Sequence, residues 1–516
     1  MFGRALAILV GAAAIASCLT TEGPTTGVAR DPSMGRTLIR GYAAISDRYI
    51  SEVADFGALS SEALRSVAAL DPQVRAEEAD GRLRMFVAER MVADRPAPMA
   101  RGDGPGWGEA TAELVEAAYQ ASTALRAAGK DKVLKAALDG TTRKLDRNSR
   151  YADPSEARDN RFNREGDGGI GVTVENENSQ TVIRSVQPGA PADIAGVRAG
   201  DRIVSVAGAS VAGQPMREIV RALRGRVGAD VAMGVFRPSE NREIVFTLRR
   251  AYVIPTTATY ERRGDIAHIR LTGFNKSTPE TLRSTLEKAA ADIGPGMAGV
   301  ILDMRDNPGG LLDRAISVAD LLLDGGIVLS TEGRHPDSRT AFRSSGGAVL
   351  QGVPMVVVMN GRSASAAEIV GAALQDRGRA VLVGSTSYGK GTVQTVVPLP
   401  NDGELTLTWS RMLAPSGYAW NEIGVLPTVC TARFGDAKLL AAELDASAQA
   451  VRRAQADWHT VRERAPPERI AALRSICPPS DQAPVKDLEL ADRILRDRAL
   501  YARALTYVAP STAERR

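Results

Sequence analysis

The chain has 516 residues, of which 44% are hydrophobic and 24% are charged, and its formal net charge is +4. Length alone suggests about three domains, and the composition is typical of ordinary globular protein. The positive charge is small and scattered, without a basic stripe interleaved with aromatic residues, so a nucleic-acid partner is not expected.

Residues 1–17 are predicted to be a secretory signal. Arg4 precedes an apolar run from Ala5 to Ala16, which is shorter than the about 20 residues of a transmembrane helix. Its end, Ile15-Ala16-Ser17-Cys18, resembles a bacterial lipobox, which implies lipidation of Cys18, and Leu19 favours sorting to the outer membrane. An ordinary signal with an incidental cysteine is the alternative. Residues 18–35, rich in Thr, Gly and Pro, are then predicted to be a flexible tether.

Residues 36–165 are predicted to form an N-terminal helical region. Leu83, Phe86, Val87 and Met91 recur at helical spacing, and prolines and glycines interrupt the pattern between positions 96 and 108. A second helical stretch follows at 109–138. Structural packing explains this region most simply, and a dimer or adaptor surface is the alternative.

Residues 166–251 are predicted to form a compact unit. Strands are expected at 181–186, 230–236 and 243–248, and a helix at 216–223. The element Gly200-Asp201-Arg202-Ile203, after a turn and short helix, makes the unit resemble a PDZ domain.

PDZ domains add a peptide strand to a sheet edge and hold its terminal carboxylate with backbone N–H groups. The resemblance places peptide binding at Gly169, Ile170, Gly171 and Val172, where glycine lets the backbone approach a ligand closely. A simple strand bulge is the alternative for these glycines.

Residues 252–435 alternate strands with helices, which favours a mainly parallel sheet. The predicted strands and helices, in chain order, are 265–271, 278–291 (helix), 299–304, 312–323 (helix), 356–359 and 381–383. Asn307-Pro-Gly-Gly310 makes a tight turn between a strand and a helix, and backbone N–H groups at such a turn are suitable oxyanion donors. Without a partner motif, this segment is only a turn.

A serine and a lysine in this region suggest a catalytic pair. Ser365 opens a helix after the strand at 356–359, and Lys390 lies on the Gly-rich turn 384–391. A serine hydroxyl needs a base to take its proton, and a lysine serves only if its pKa falls from about 10.4 towards 7–8. Burial away from carboxylates lowers a lysine pKa. The alternative is that Ser365 caps a helix and Lys390 is a surface lysine.

Two sequence blocks carry a family resemblance. SASAAEIVGAALQD (363–376), followed by YGKGTVQ (388–394), is similar to the core motif of the C-terminal processing peptidases, which are tail-specific Ser/Lys proteases. Residues 302–311 resemble their Gly-rich oxyanion turn, and 146–154 resemble the segment before their binding domain.

The resemblance implies a multidomain α/β and α+β chain with a crotonase-like α/β protease core and a PDZ domain. It also implies a role for each matched residue. These are Ser365 as the nucleophile, Lys390 as the general base, Gln394 orienting the lysine, Asp376 as possible support, and Gly309 or Gly310 with Ala366 as the oxyanion hole.

Residues 436–516 are predicted to form a C-terminal helical region, with helices at 436–465 and 487–504. Cys430 and Cys477 are the cysteines that follow Cys18. In an oxidising compartment a disulfide between them is plausible, although the sequence does not show that they are close.

Two other kinds of site fit less well. Gly384–Lys390 nearly matches a phosphate-binding loop, but Gly391 stands where that motif needs a hydroxyl for Mg²⁺. A Ser-His-Asp triad needs a histidine in a motif, and His268, His335 and His459 have none beside them. No Cys/His cluster indicates a metal site, so no metal or cofactor is expected.

These patterns predict a periplasmic serine endopeptidase that binds the C-terminal tails of protein substrates and cleaves them with a Ser–Lys dyad. An adaptor or activator protein and a homo-oligomer are further candidate partners, and the lipid anchor is the only expected membrane contact. The alternative function is a catalytically latent PDZ scaffold or an adaptor-activated protease of the cell envelope.

Overall fold

The computed structural model describes residues 34–165, 167–177, 179–431 and 440–507. The predicted secretory signal, Cys18 and nearly all of the predicted tether lie outside the described residues. Among the helices in the described ranges, none has the length and apolar character needed to cross a membrane.

The N-terminal region consists of helices around their own hydrophobic core, with a small antiparallel sheet beside them. Leu38, Tyr42, Trp107 and Leu114 are fully buried in this core. The elements, in chain order, are α1 (Met34–Arg48), α2 (Phe56–Ala68), β1 (Val74–Ala79), β2 (Arg82–Val87), β3 (Arg90–Pro96), α3 (Gly104–Ala121), α4 (Thr123–Ala128) and α5 (Lys130–Arg143).

The helix predicted around residues 83–91 is wrong, because this stretch belongs to the meander β1–β2–β3. Two-residue turns, Asp80-Gly81 and Ala88-Glu89, join the strands, and all four residues have positive φ. Asp-Gly is a strong signal for such a hairpin turn. Leu83 and Met85 are buried at alternate positions, which is the periodicity of a strand rather than of a helix.

The PDZ-like unit is a sheet of order β11-β10-β8-β7-β6, with β9 beside β8. The strands predicted at 181–186, 230–236 and 243–248 and the helix at 216–223 are present. Two elements precede this unit, β4 (Arg150–Ala152) and α6 (Pro154–Glu165). The elements from the start of the unit onward are β5 (Asp167–Gly169), β6 (Val172–Glu177), β7 (Gln180–Val186), α7 (Pro191–Ile194), β8 (Arg202–Val206), β9 (Ala209–Ser210), α8 (Met216–Leu223), β10 (Asp230–Arg237), β11 (Arg242–Arg249) and β12 (Ala251–Val253).

The α/β core predicted to be the protease core contains two sheets. Its elements are β13 (Ala258–Arg263), β14 (Ile266–Leu271), α9 (Thr278–Ile293), β15 (Gly299–Asp303), α10 (Leu312–Leu322), β16 (Gly326–Glu332), β17 (Thr340–Ser344), β18 (Met355–Met359), α11 (Ala366–Asp376), β19 (Val381–Gly384), β20 (Thr392–Pro398), β21 (Glu404–Leu413) and β22 (Val429–Cys430).

The first sheet of the core has the order β13-β14-β15-β18-β19-β22. Only the β13–β14 pair is antiparallel, so the predicted mainly parallel sheet is confirmed. Neighbouring parallel strands end at the same edge of a sheet, where ligands bind in such folds. The turns after β15, β18 and β19 therefore meet at one edge.

The second sheet of the core is antiparallel, with the order β17-β16-β21-β20 and with β4 beside β21. The sequence patterns did not predict it. The hairpin β20–β21 inserts Val397, Leu399, Leu405 and Leu407 into the N-terminal core. The N-terminal region and the strand that follows Lys390 therefore share one hydrophobic cluster.

The C-terminal helices pack back onto the protease core. They are α12 (Leu440–Trp458), α13 (Pro467–Ile476), α14 (Val485–Arg496) and α15 (Arg498–Leu505). The single helix predicted at 487–504 is wrong, because Asp497 caps a new helix by accepting from the N–H of Leu500 at 3.0 Å. A disulfide joins Cys430 at the end of β22 to Cys477 after α13.

The disulfide should contribute directly to stability, since it closes a loop with a sequence separation of 47. Replacing both cysteines by alanine should lower the free energy of unfolding by about 2–4 kcal/mol, because the unfolded chain regains loop freedom. Urea unfolding measures this loss. A reductant should bring the wild type to the level of the double variant and leave that variant unchanged; equal stability of both under oxidising conditions would contradict the expectation.

Candidate active site

Ser365 is the residue immediately before α11, at the carboxyl edge of the parallel sheet. Its backbone has φ 56° and ψ −114°, a combination that non-glycine residues rarely adopt and that concentrates at functional sites. The side chain is half-buried. Its Oγ accepts from the backbone N–H of Glu368 in a capping box, and among the described residues it donates to no acceptor, so its proton is available to a base.

The turn after β15 lies directly against Ser365. Gly309 has φ 96°, and a Cβ atom there would lie 2.8 Å from the N atom of Ala366 and 2.9 Å from Cβ of Ser365. Both distances are shorter than real Cβ contacts, so only glycine fits at this position. The close approach brings the predicted oxyanion turn and the predicted nucleophile together.

The two glycines of this turn differ in what their N–H groups do. The N–H of Gly309 donates to Oδ1 of Asn307 at 2.9 Å. In contrast, the N–H groups of Gly310 and Ala366 have no hydrogen-bond partner among the residues described. The prediction left Gly309 and Gly310 as alternatives, and Gly310 is the one with a free donor.

Asn307 is a supporting residue that the sequence patterns did not single out for this role. It is fully buried, and its Nδ2 donates to the carbonyl of Leu271 at 2.8 Å. Its carbonyl accepts from the N–H of Ala364 at 2.9 Å. Asn307 therefore connects β14, the turn after β15 and the turn before Ser365.

Glu368, in the first turn of α11, is fully buried and joins Ser365 to the lysine turn. Its Oε2 accepts from the N–H groups of Ser365 at 2.7 Å and of Lys390 at 2.8 Å. Its Oε1 accepts from the N–H of Gly389 at 2.7 Å and from Oγ of Ser387. Because both N–H groups donate to the same oxygen, the backbone nitrogens of Ser365 and Lys390 are separated by no more than these two hydrogen bonds placed end to end.

Burial raises the pKa of Glu368, and the four hydrogen bonds that its carboxylate accepts act in the opposite direction. The sequence analysis missed this residue. The signal that could have found it is the spacing Ser365-Ala-Ala-Glu368, because Ser-x-x-Glu is the pattern of a capping box. Its second oxygen accepts from Ser387 and Gly389, which lie 19 and 21 positions later in the chain, and no local sequence pattern indicates such a contact.

Lys390 lies on the turn between β19 and β20 and is half-buried. Burial lowers its pKa, and the positive charge of Arg150 lowers it further, whereas Glu368 and Asp146 partly offset these effects. Its Nζ has no hydrogen-bond or ion-pair partner in the described part of the chain. The lysine is therefore shifted towards the neutral form that can accept a proton.

Gln394 and Asp376 both bond to groups other than Ser365 and Lys390. Nε2 of Gln394 donates to Oγ1 of Thr392 at 2.8 Å and to its carbonyl at 3.2 Å, and not to Lys390. Asp376 ends α11 at the opposite end from Ser365. It accepts from the N–H of Ser416 at 2.9 Å and lies 3.5 Å from Nε2 of His459, so it fixes the far end of the helix.

The three histidines lie in other places. His268 is 3.4 Å from a carboxylate oxygen of both Asp303 and Glu261, His335 begins the short 3₁₀ turn Pro336–Ser338, and His459 stacks on Tyr418. Within the described ranges, none of the three forms a hydrogen bond with Ser365. A histidine-based triad has no support in this geometry.

The loop predicted to bind peptide lies at an apolar groove between β6 and α8, with a volume of about 500 Å³. The N–H groups of Ile170 and Gly171 have no hydrogen-bond partner among the described residues. Gly171 has φ 79°, and a Cβ there would lie 2.1 Å from Cβ of Ala190. The apolar lining includes Phe162, Val172, Val174, Met216, Val220 and Leu223.

Models of known families match both the region that contains Ser365 and Lys390 and the PDZ-like unit. The model for peptidase family S41 matches residues 265–431, and a PDZ-domain model matches 182–237. A carboxy-terminal-processing protease of Bartonella bacilliformis is 36% identical over 300 residues, covering 58% of this chain and 69% of that protein. The chain belongs to the carboxy-terminal-processing proteases of peptidase family S41.

Two further proteins are similar to this chain. A protein of Staphylococcus aureus, called a probable CtpA-like serine protease, is 32% identical over 303 residues, or 58% of this chain and 60% of that protein. Among solved structures, the photosystem II D1 C-terminal processing protease matches with 22% identity and a TM-score of 0.39, covering 77% of this chain and 92% of that one. The family match identifies the enzyme class as serine peptidase.

Glu368→Gln should disrupt the carboxy-terminal-processing protease site while nearly conserving its shape. One amide oxygen can serve only one pair of donors, and the NH₂ group would face the other pair. The stability should fall by about 1–3 kcal/mol. Peptide cleavage should fall with it, because one of the two turns loses its carboxylate acceptor whichever way the amide is oriented. Urea unfolding and cleavage rates measure both effects.

The matched control is Glu280→Gln, since Glu280 also lies in the first turn of a helix but is exposed. Its stability should stay within about 0.5 kcal/mol of the wild type. If Glu368→Gln behaved like this control, Glu368 would not hold the two turns together.

Proposed function

We propose that this carboxy-terminal-processing protease is a serine endopeptidase of the bacterial cell envelope. Its PDZ domain captures the C-terminal tail of a protein substrate, and a dyad of Ser365 and Lys390 cleaves a peptide bond. The observation that supports this most directly is the carboxylate of Glu368, which binds the backbone of both residues while Nζ of Lys390 is left without a partner.

In the proposed acylation step, neutral Lys390 takes the proton from Oγ of Ser365 as that oxygen bonds to the peptide carbonyl carbon. The oxyanion accepts hydrogen bonds from the N–H groups of Gly310 and Ala366. The C–N bond then breaks, and the ammonium of Lys390 returns its proton to the leaving amine.

Deacylation repeats this sequence with water. Neutral Lys390 takes a proton from water, the resulting oxygen bonds to the acyl carbon, and the bond to Oγ of Ser365 breaks. The ammonium gives its proton to Oγ, so that enzyme and base return to their starting state. The lowered pKa of Lys390 keeps it neutral more often at the start of each step.

Gln394 is the proposed residue that orients the lysine. It lies on β20, four positions after Lys390. Its Oε1 has no hydrogen-bond partner within the described residues, so this oxygen is available to accept from the ammonium group that forms during each step. Its amide nitrogen is meanwhile held by Thr392.

The groove between β6 and α8 is the proposed tail-binding site. Its lining is apolar, and the free N–H groups of Ile170 and Gly171 lie in the loop at its edge. These features suit a peptide strand with an apolar C-terminal residue, whose carboxylate would accept from the two N–H groups.

The proposed location is the periplasm, with the chain anchored to the outer membrane through lipidated Cys18. The pattern of residues 1–18 carries this proposal, and the disulfide between Cys430 and Cys477 agrees with an oxidising compartment.

A second candidate is an enzyme that stays latent until a tail or an adaptor binds. One observation favours it, since Oγ of Ser365 and Nζ of Lys390 form no hydrogen bond with each other in the described structure. Adding a separate tail peptide would test it. Faster cleavage of a short substrate that lacks a tail would support latency, and an unchanged rate would oppose it.

Digestion of an unfolded reporter protein with an apolar C-terminal tail tests the proposed dyad. Ser365→Ala and Lys390→Arg should each reduce cleavage by about 10⁴-fold, because the first lacks the nucleophile and the second carries a base that stays protonated. Ser284→Ala and Lys288→Arg are matched controls on the exposed face of α9 and should cleave normally. Cleavage by Ser365→Ala would rule out this serine as the nucleophile.

Binding of a labelled tail peptide, followed by fluorescence anisotropy on the Ser365→Ala protein, tests the groove. Val220→Asp should weaken binding by about tenfold or more, because an unpaired polar group in an apolar site costs about 1–3 kcal/mol and an ionised carboxylate costs more. Val245→Asp is the control, since Val245 is 72% exposed on β11 and is absent from the groove lining. Equal affinity of the two variants would place the tail elsewhere.

A further inference from the structure

We infer that residues 146–150, which precede the PDZ domain and lie outside the matched protease residues 265–431, position Lys390 for catalysis. This inference rests on the proposed function, because it assigns positioning residues to the proposed general base. Contacts with the residues on both sides of the lysine support it. They all come from residues 146–150, which are called the 146–150 segment.

The 146–150 segment bonds to the residues that flank Lys390. Nη2 of Arg147 donates to the carbonyl of Gly389 at 3.1 Å, and its guanidinium lies over the ring of Tyr388. Nδ2 of Asn148 donates to Oγ1 of Thr392 at 3.1 Å. The same Oγ1 accepts from Gln394, so the segment also supports the residue proposed to orient the lysine.

The segment has a fixed conformation of its own. Oδ1 of Asp146 accepts from the N–H groups of Asn148 at 2.6 Å and Ser149 at 2.9 Å, and Oδ2 accepts from Oγ of Ser149 at 2.8 Å. Thr408 of β21 bonds to both Asp146 and Ser149. Since β21 pairs with β20, the segment is attached to the strand that follows Lys390.

The charged groups around Lys390 come from several elements. Glu368 comes from α11, Asp146 and Arg150 from the 146–150 segment, and Arg474 from α13, where its Nη1 lies 3.3 Å from the carbonyl of Ser387. The N–H of Glu422 donates to the carbonyl of Gly389 in the lysine turn. The carboxylate of Glu422 pairs with Arg464 at 2.9 Å. Arg150 lies on β4 opposite Thr406 of β21, the strand that pairs with β20 after Lys390. Its positive charge lowers the pKa of Lys390 in addition to burial.

Hydrogen exchange in the full chain tests the geometric part. Arg147→Gln removes the bond to Gly389, so amides of the peptide covering residues 384–394 should exchange faster than in the wild type. Arg143→Gln is the matched control, because Arg143 lies four positions before Arg147 and its guanidinium bonds to Ser66 rather than to the lysine turn. Unchanged exchange at 384–394 in Arg147→Gln would overturn the inference.

Competitive acylation tests the electrostatic part without requiring cleavage. The reaction of Lys390 with a small acylating reagent is followed against pH by peptide mass spectrometry, with the exposed Lys288 as internal reference. Arg150→Gln should shift the Lys390 profile to higher pH, and Arg150→Lys should restore it. A merely structural role for Arg150 would leave the profile in place, and that outcome would overturn the role of this cation.

The reporter digestion separates this inference from the proposed function. If the wild type does not cleave, the proposed dyad fails, while the exchange and acylation results still decide whether the segment positions Lys390. If the wild type cleaves, Arg150→Gln should move the acid side of the pH profile of kcat/KM to higher pH, while tail binding by the PDZ domain stays unchanged. Normal cleavage with an unmoved profile would count against the inference alone.

Discussion

The buried carboxylate of Glu368 is the interaction on which the site depends. An ionised carboxylate in a protein interior is costly unless hydrogen bonds replace its water. Here the N–H groups of Ser365, Gly389 and Lys390 and the hydroxyl of Ser387 replace it. The two oxygens are satisfied only when the turn before α11 and the turn after β19 are both in place. The position of Ser365, the proposed nucleophile, is therefore linked energetically to that of Lys390, the proposed base.

The parallel sheet explains why these turns meet. β15, β18 and β19 are neighbours in the sheet, and their carboxyl ends lead to the Gly-rich turn, to Ser365 and to Lys390. The strained backbone of Ser365 is sustained by its surroundings, since Gly309 lies against it and Asn307 connects the adjacent turns. Strain of this kind persists only where the surrounding structure fixes the conformation. The sheet thus supplies the frame, and short polar contacts set the geometry of the site.

The lysine turn receives support from both ends of the chain. Arg147 of the N-terminal region and Arg474 of α13 donate to carbonyls of this turn. The disulfide holds the end of α13 against β22, the neighbour of β19. The hairpin β20–β21 shares a hydrophobic core with the N-terminal helices. The base of the proposed dyad therefore depends on segments outside the matched protease residues, which gives those segments a means of influencing cleavage.

The sequence by itself determined most of the strands and helices of the parallel sheet in the core, the PDZ-like unit, and the turns that carry Ser365, Lys390 and the glycine pair. These features follow from local periodicity and turn chemistry, which a single stretch of chain contains. Only the tertiary structure decided that Glu368 joins the two turns, that Gly310 rather than Gly309 has the free N–H, and that Asp376 contacts Ser416 and His459. It also decided the antiparallel sheet and the meander at residues 74–96. Each of these depends on which distant groups meet, and a periodic pattern shows that a face is buried without showing what it is buried against.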